Sequence, residues 1–198
     1  MPEIIKKFID VFSKLPSIGP RLATRLAFYL TNLNQNELYQ IEKTINALRY
    51  LDKCPNCFFL KEKNKKLCSI CLNPQRNKRT IMIIEKETDL ITVEKTKAYN
   101  GHYLILGELK EKNSLETIQK LKLKNLKERI KKELEGKIEE IIIALNPNTF
   151  GDLVSDFIKQ EFKNYANKIT RLGRGIPTGG EIEFSDEETL KEAIKRRN

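Results

Sequence analysis

Cys54-Pro55-Asn56-Cys57 and Cys68-Ser69-Ile70-Cys71 constrain this chain more than any other feature in it. Each C-x2-C turn aims two thiolates at one point, and two such turns complete a tetrahedron, the arrangement of a structural zinc ion with no open position. A redox C-x-x-C pair would follow a strand and open a helix in a thioredoxin-like pattern, and neither pair does so. The expected cofactor is therefore one structural zinc ion per chain, held by Cys54, Cys57, Cys68 and Cys71. The N-terminal MPEIIKKFIDVF mixes acids among its apolar residues and has no small-residue cleavage site, unlike a secretory signal. Thiols in such a chain are expected in a reducing compartment, as metal ligands and not as disulfides.

Charge concentrates around the same cysteines. The chain carries a net charge of +10, and residues 53–79 hold eight cations against one carboxylate. A divalent ion with four thiolates adds −2, so the loaded module stays positive. A local basic patch is the electrostatic footprint of a nucleic-acid contact; the plainer reading is that Lys63, Lys65 and Lys66 belong to a solvated loop of a Lys-rich chain. An apolar fraction of 39% permits a packed core and excludes full disorder. No apolar run exceeds five residues, which excludes a transmembrane helix of the usual kind. The expectation is a soluble, basic, cytoplasmic protein of several modules.

Periodicity orders those modules. Ile4, Ile5, Phe8, Ile9, Phe12 and Leu15 recur at helical spacing, Pro16-Ser17-Ile18-Gly19-Pro20 interrupts, and Leu22, Ala23, Leu26, Ala27 and Leu30 resume. Leu38, Ile41, Ile45 and Leu48 predict a third helix over 35–51. After the cysteines the pattern changes to short, continuous apolar runs at 81–84, 103–106 and 141–145, with a fourth strand at 168–172. Helical stretches near 88–97, 121–135 and 149–164 alternate with them, which predicts a parallel sheet covered on both faces. Residues 173–180 read as a Gly-rich loop and 185–197 as a capped final helix. The boundaries expected are 1–52, 53–79, 80–175 and 176–198.

Three stretches bear on function. In LPSIGPRLATRL a tight turn at Gly19 leaves the N–H groups and positive end of the second helix open to a phosphate. Arg21 and Arg25, four apart, share a face beside it; this resembles the helix-hairpin-helix motif of proteins that contact DNA without sequence preference, the plainer reading being an ordinary αα-hairpin with solvated arginines. Glu85 ends its strand with Asp89 nearby, and Asn146-Pro147-Asn148-Thr149-Phe150-Gly151-Asp152 follows another strand. Acids at the carboxyl edge of a parallel sheet sit where such folds bind ligands. Two or three together can hold Mg²⁺, cap helices, or meet a cationic partner surface, and Glu85 with Asp152 is the pair expected to bind a partner. The stretch GRGIPTGGE lacks the G-K-[ST] ending of a P-loop. The lone His102 begins a strand and is assigned no role.

Taken in order, LPSIGPRLATRLAFYL, CPNC with CSIC, IIEKETDL, LNPNTFGD and TRLGRGIPTGGEIEFSD resemble the bacterial RecR family of recombination mediators nearly end to end. The resemblance implies a helix-hairpin-helix, a C4 zinc finger, a Toprim domain and a short C-terminal segment. It implies a DNA-binding, non-catalytic role in recombinational repair, acting with RecO and sometimes RecF to load the recombinase on gapped or single-stranded DNA. It also implies a homo-oligomer, dimer or tetrameric ring, that clamps single- and double-stranded DNA at the nucleoid. The alternative is a Mg-dependent Toprim nuclease. This chain departs from the family pattern at Phe150, where an acid is usual, and at 109–114, where a Gly-Pro-containing link is replaced by LKEKNS.

Overall fold

The computed structural model describes residues 1–109, 115–195 and 197. The chain forms two compact units, Met1–Leu51 and Asp52–Asn198. The atypical link at 109–114 lies outside the described residues except for Leu109.

The first unit is helical: α1 (Glu3–Phe12), α2 (Pro20–Thr31) and α3 (Gln35–Ala47). Apolar spacing on α1 stacks Phe8 on Phe12, with ring centroids 3.9 Å apart. The helix stops three residues earlier than its apolar stripe suggests, Ser13 being its C-cap. Ser17 then takes a left-handed conformation, φ 62°, to turn the chain. Pro20 occupies the first position of α2, where its missing N–H costs nothing. The small residues Ala23 and Ala27 are buried on α2, and α1 and α2 pack together. Asn34 and Glu37 form a reciprocal cap on α3, with the Glu37 amide donating to Asn34 Oδ1 at 2.9 Å. That helix ends at Ala47 instead of 51, giving way to a 3-10 turn at Leu48–Tyr50.

A short ribbon follows, β1 (Leu51–Lys53) with β2 (Leu60–Glu62), then the one-turn helix α4 (Ser69–Leu72). The main sheet contains β3 (Asn77–Ile84), β4 (Gly101–Ile105), β5 (Ile138–Ala144) and β6 (Ala166–Arg171) in the order β4-β3-β5-β6. All three pairings are parallel, as the continuous apolar runs predict. Helices α5 (Glu87–Thr96), α6 (Thr117–Glu133) and α7 (Thr149–Phe162) connect the strands, and α8 (Glu187–Lys195) ends the chain after a 3-10 turn at Ile182–Phe184.

The two-residue period of a strand decides which layer each side chain joins. Ile81 and Ile83 face α6 and α7, in one core with Leu104, Ile143, Leu126, Ile130, Ile158 and Phe162. Met82 and Ile84 face the other way, in a core with Tyr103, Ile105 and Leu90 of α5. All four cysteines and Ile70 belong to that second core. The cysteine module thus covers part of a sheet face that the sequence pattern gives to helices. It also meets the edge of the sheet: β4 is an outer strand, and the Ile105 amide donates to the Cys57 carbonyl at 2.9 Å. Pairing an outer strand in this way removes an exposed backbone edge. Among the described residues no helix is long and apolar enough to cross a membrane.

Candidate nucleic-acid interface, cysteine centre and acidic rim

Gly19 is the N-cap of α2, with φ −83° and ψ 171°, an extended conformation open to any residue. A Cβ added there would meet no atom of the chain within 4 Å. Neither backbone strain nor internal packing requires glycine at this position. Arg21 and Arg25 lie one turn apart, exposed, and neither forms an ion pair within the helical unit. The first turn of α2 therefore presents free amides, a positive dipole end and two uncommitted guanidinium groups around a backbone that carries no side chain.

In the second unit Cys54, Cys57, Cys68 and Cys71 are all buried, and their sulfur atoms lie within 4.8 Å of one another. None is in a disulfide. A tetrahedron with Zn–S bonds of the usual length has sulfurs roughly 3.8 Å apart, and Cys57 Sγ and Cys68 Sγ are 3.4 Å apart. The turns supply backbone donors to sulfur, Phe59 N–H to Cys57 at 3.4 Å and Cys71 N–H to Cys68 at 3.5 Å. The four thiols share their protons through mutual hydrogen bonds, which lower Cys54 and Cys68 and raise Cys57 and Cys71; a divalent ion at their centre would favour the thiolate at all four. The residues fit a four-sulfur metal centre with no open position. Among the described residues this is the only group of three or more candidate ligands close enough to hold an ion.

The carboxyl edge is arranged differently from a metal site. Glu85, directly after β3, is 3% exposed, and its Oε1 accepts the Asn146 amide at 2.7 Å. Asp89 caps α5, its Oδ2 accepting from the Lys86 amide at 2.8 Å. Asn148 caps α7 by accepting the Gly151 amide at 2.7 Å. Gly151 is required by close approach, since a Cβ there would sit 2.1 Å from the Asn146 carbonyl oxygen. Phe150 packs against the main core, so the residue that departs from the family pattern serves packing. Asp152 accepts from both Arg171 and Arg174. Burial pushes its pKa up, but Arg171 and then Arg174 more than offset this and hold the carboxyl below its ordinary value. Arg174 also donates to Glu188 Oε1 at 2.8 Å, joining α7 to α8. A cavity of about 250 Å³ lies here, lined by Asp89, Asn146, Arg171 and Arg174 among others. Of the expected pair, Glu85 faces inward while Asp152 keeps partial exposure.

Three residues have roles that the sequence motifs do not assign. Arg171 and Arg174 lie in the TRLGRG stretch but are separated in sequence from the acid they bind. Arg129 lies in the apolar stripe of α6 between Leu126 and Ile130 and is only 9% exposed; a charge in such a stripe is a signal that periodicity carries. Its Nη1 donates to the Asn56 carbonyl at 2.8 Å. His102, on β4, is 4% exposed. Burial first, then the Arg129, Lys78 and Arg76 cations, push its pKa down to about 4.

Comparison with known proteins matches three family descriptions: "RecR, helix-hairpin-helix" over residues 5–49, "Toprim domain" over 79–173 and "RecR, C-terminal" over 175–198. The chain is 34% identical to the recombination protein RecR of Lactococcus lactis subsp. cremoris (strain MG1363), covering 99% of this chain and 97% of the relative. It is equally similar, with the same coverage, to the RecR of Lactococcus lactis subsp. lactis (strain IL1403).

Proposed function

The chain belongs to the RecR family of recombination proteins, and we propose that it is a DNA-binding mediator of recombinational repair that performs no catalysis itself. The observation that carries this reading is the first turn of α2, where Gly19 leaves open space and Arg21 and Arg25 stand exposed beside free amides. Such a surface suits phosphates of single- or double-stranded DNA and carries no base readout. Roles divide along the expected boundaries: 1–52 for DNA, 53–79 for one structural zinc ion, 80–175 for partner recognition and 176–198 as a C-terminal segment. The protein acts in the cytoplasm at the nucleoid, as a homo-oligomer that surrounds DNA as a dimer or tetrameric ring. RecO, and RecF where a host has it, are its partners in loading the recombinase. RecO docks at the acidic rim, with Asp152 as the accessible carboxylate and Glu85 fixing the rim from beneath.

A Mg-dependent nuclease is the weaker reading, because the rim's acids are engaged: Glu85 by the Asn146 amide, Asp89 by a helix cap, Asp152 by two arginines. The testing experiment is DNA binding by the Arg21→Ala, Arg25→Ala double variant over a salt series. Binding should weaken on every sequence, and the slope of log K against log salt should fall by roughly one unit per lost contact. Affinity equal to wild type at all salt concentrations would assign the hairpin a structural role only. Incubating wild type with nicked-circle substrates and Mg²⁺ or Mn²⁺ tests catalysis directly, cleavage that Glu85→Ala abolishes being the contrary result.

A further inference from the structure

We propose that Arg129 is the outer-sphere arginine of the cysteine centre, compensating the charge of its thiolates and latching the first knuckle to α6. This inference rests on the zinc reading of the four cysteines. Arg129 projects from the buried side of α6, flanked by the buried Leu126 and Ile130. A guanidinium in that position needs a counter-charge, because desolvation of an unpaired cation is unfavourable. No carboxylate of a described residue lies within ion-pair distance of it, Glu133 acting at longer range. Nη1 is bonded to the carbonyl of Asn56, the residue preceding Cys57 in the first knuckle. Nη2 is fully shielded from solvent and has no hydrogen-bond partner. Arg129 lines a cavity of about 130 Å³ with Asn56, Cys71, Lys78, His102 and Glu133, and Glu133, one turn on along α6, acts on it only at longer range. Residues of both knuckles therefore border the same space as the arginine.

Four thiolates around a divalent ion carry a net −2, and a buried +1 beside them lowers the charge that the interior must accommodate. The cysteine centre, with Cys71 foremost, joins Glu133 in supplying counter-charge to Arg129, and Arg129 supplies a cation to the metal centre. The bond to Asn56 adds a positional role, since it fixes the turn that aims Cys54 and Cys57. A second bond holds the same turn, from the Ile105 amide to the Cys57 carbonyl, but it carries no charge. Outer-sphere groups of this kind orient metal ligands and tune the site without touching the ion.

The test is the rate of zinc release from the full-length protein to a chromophoric chelator, with zinc content measured first. Arg129→Met should release zinc about 10- to 100-fold faster than wild type. Arg129→Lys, which keeps the charge and loses the forked geometry, should fall between them and guards against a Met variant that does not fold. Lys124→Ala, on the exposed face of α6, removes the same charge from the chain and should release zinc at the wild-type rate. In cadmium-loaded protein, the ¹¹³Cd resonance should shift in Arg129→Lys. Wild-type release rates in both Arg129 variants, with an unmoved cadmium resonance, would overturn the proposal. Wild-type protein purified without any bound zinc would instead overturn the zinc reading on which it stands.

Discussion

Glu85 accepts the backbone amide of Asn146 at 2.7 Å, tying the carboxyl ends of the neighbouring parallel strands β3 and β5. The acid is 3% exposed, so the bond is made away from bulk water and fixes the start of the loop that leads into α7. A buried amide left without its acceptor carries a desolvation cost. Glu85→Ala should therefore lower unfolding stability by about 2 kcal/mol, and Glu85→Gln by less, because the amide oxygen can still accept. Urea unfolding of zinc-loaded protein measures both. Equal stability of wild type and the alanine variant would show that the bond contributes nothing to the rim.

Gly19→Ala separates ligand contact from folding at the hairpin. Its backbone geometry suits alanine and the added Cβ meets nothing in the chain, so stability should stay within about 1 kcal/mol of wild type. A phosphate approaching the amides of α2 would meet that methyl group. DNA affinity should fall several-fold on all sequences, read by fluorescence anisotropy at fixed salt. Unchanged affinity would place the DNA elsewhere on the molecule.

How much the sequence disclosed depended on whether the determinants were local. The turn at 16–20, the caps and the apolar runs of three of the four main strands are short-range features, and the elements appear where these fall. β3 begins at Asn77, four residues before its apolar run, because Asn77 and Arg79 are held by distant groups, Glu139 Oε2 at 2.8 Å and the Lys137 carbonyl at 2.9 Å. The β1–β2 ribbon has three-residue strands with little apolar content, too short for a period to register. The cysteine spacing disclosed a metal centre, while its seat on the sheet depends on Ile105 and Arg129, 48 and 72 residues beyond Cys57. Asp152 was visible as an acid at the rim; its arginines were not, since nothing local links them.

His102 makes stability pH-dependent. Its pKa is pushed from 6.5 down to about 4 in the folded protein, chiefly by burial. Between those values the unfolded chain binds a proton that the folded chain refuses, so stability falls as the pH drops from 6.5 and levels off below 4. The full loss corresponds to about 3 kcal/mol. His102→Leu removes the titrating group, so the wild type should lose more stability than the variant over this window, both zinc-loaded. Parallel stability curves from pH 7 to pH 4.5 would contradict the assignment.

Metal removal should reach beyond the cysteine module into the sheet. The four cysteines share a core with Met82, Ile84, Tyr103 and Ile105, and the Cys57 carbonyl holds the amide of Ile105 on the outer strand β4. Zinc binding in small modules supplies on the order of 10 kcal/mol of folding free energy, so losing the ion should release the first knuckle and leave one side of β4 unpaired. Cys68→Ser should lose zinc, and amide hydrogen exchange should then accelerate at Ile105 by at least tenfold. Amides in β5, an inner strand whose main core is built with α6 and α7, should change far less. A freed outer strand is also a template for pairing between molecules, so the variant should aggregate at concentrations where wild type does not. A zinc-free variant whose Ile105 amide stays as protected as in wild type would make the cysteine module an appendage that the sheet does not need.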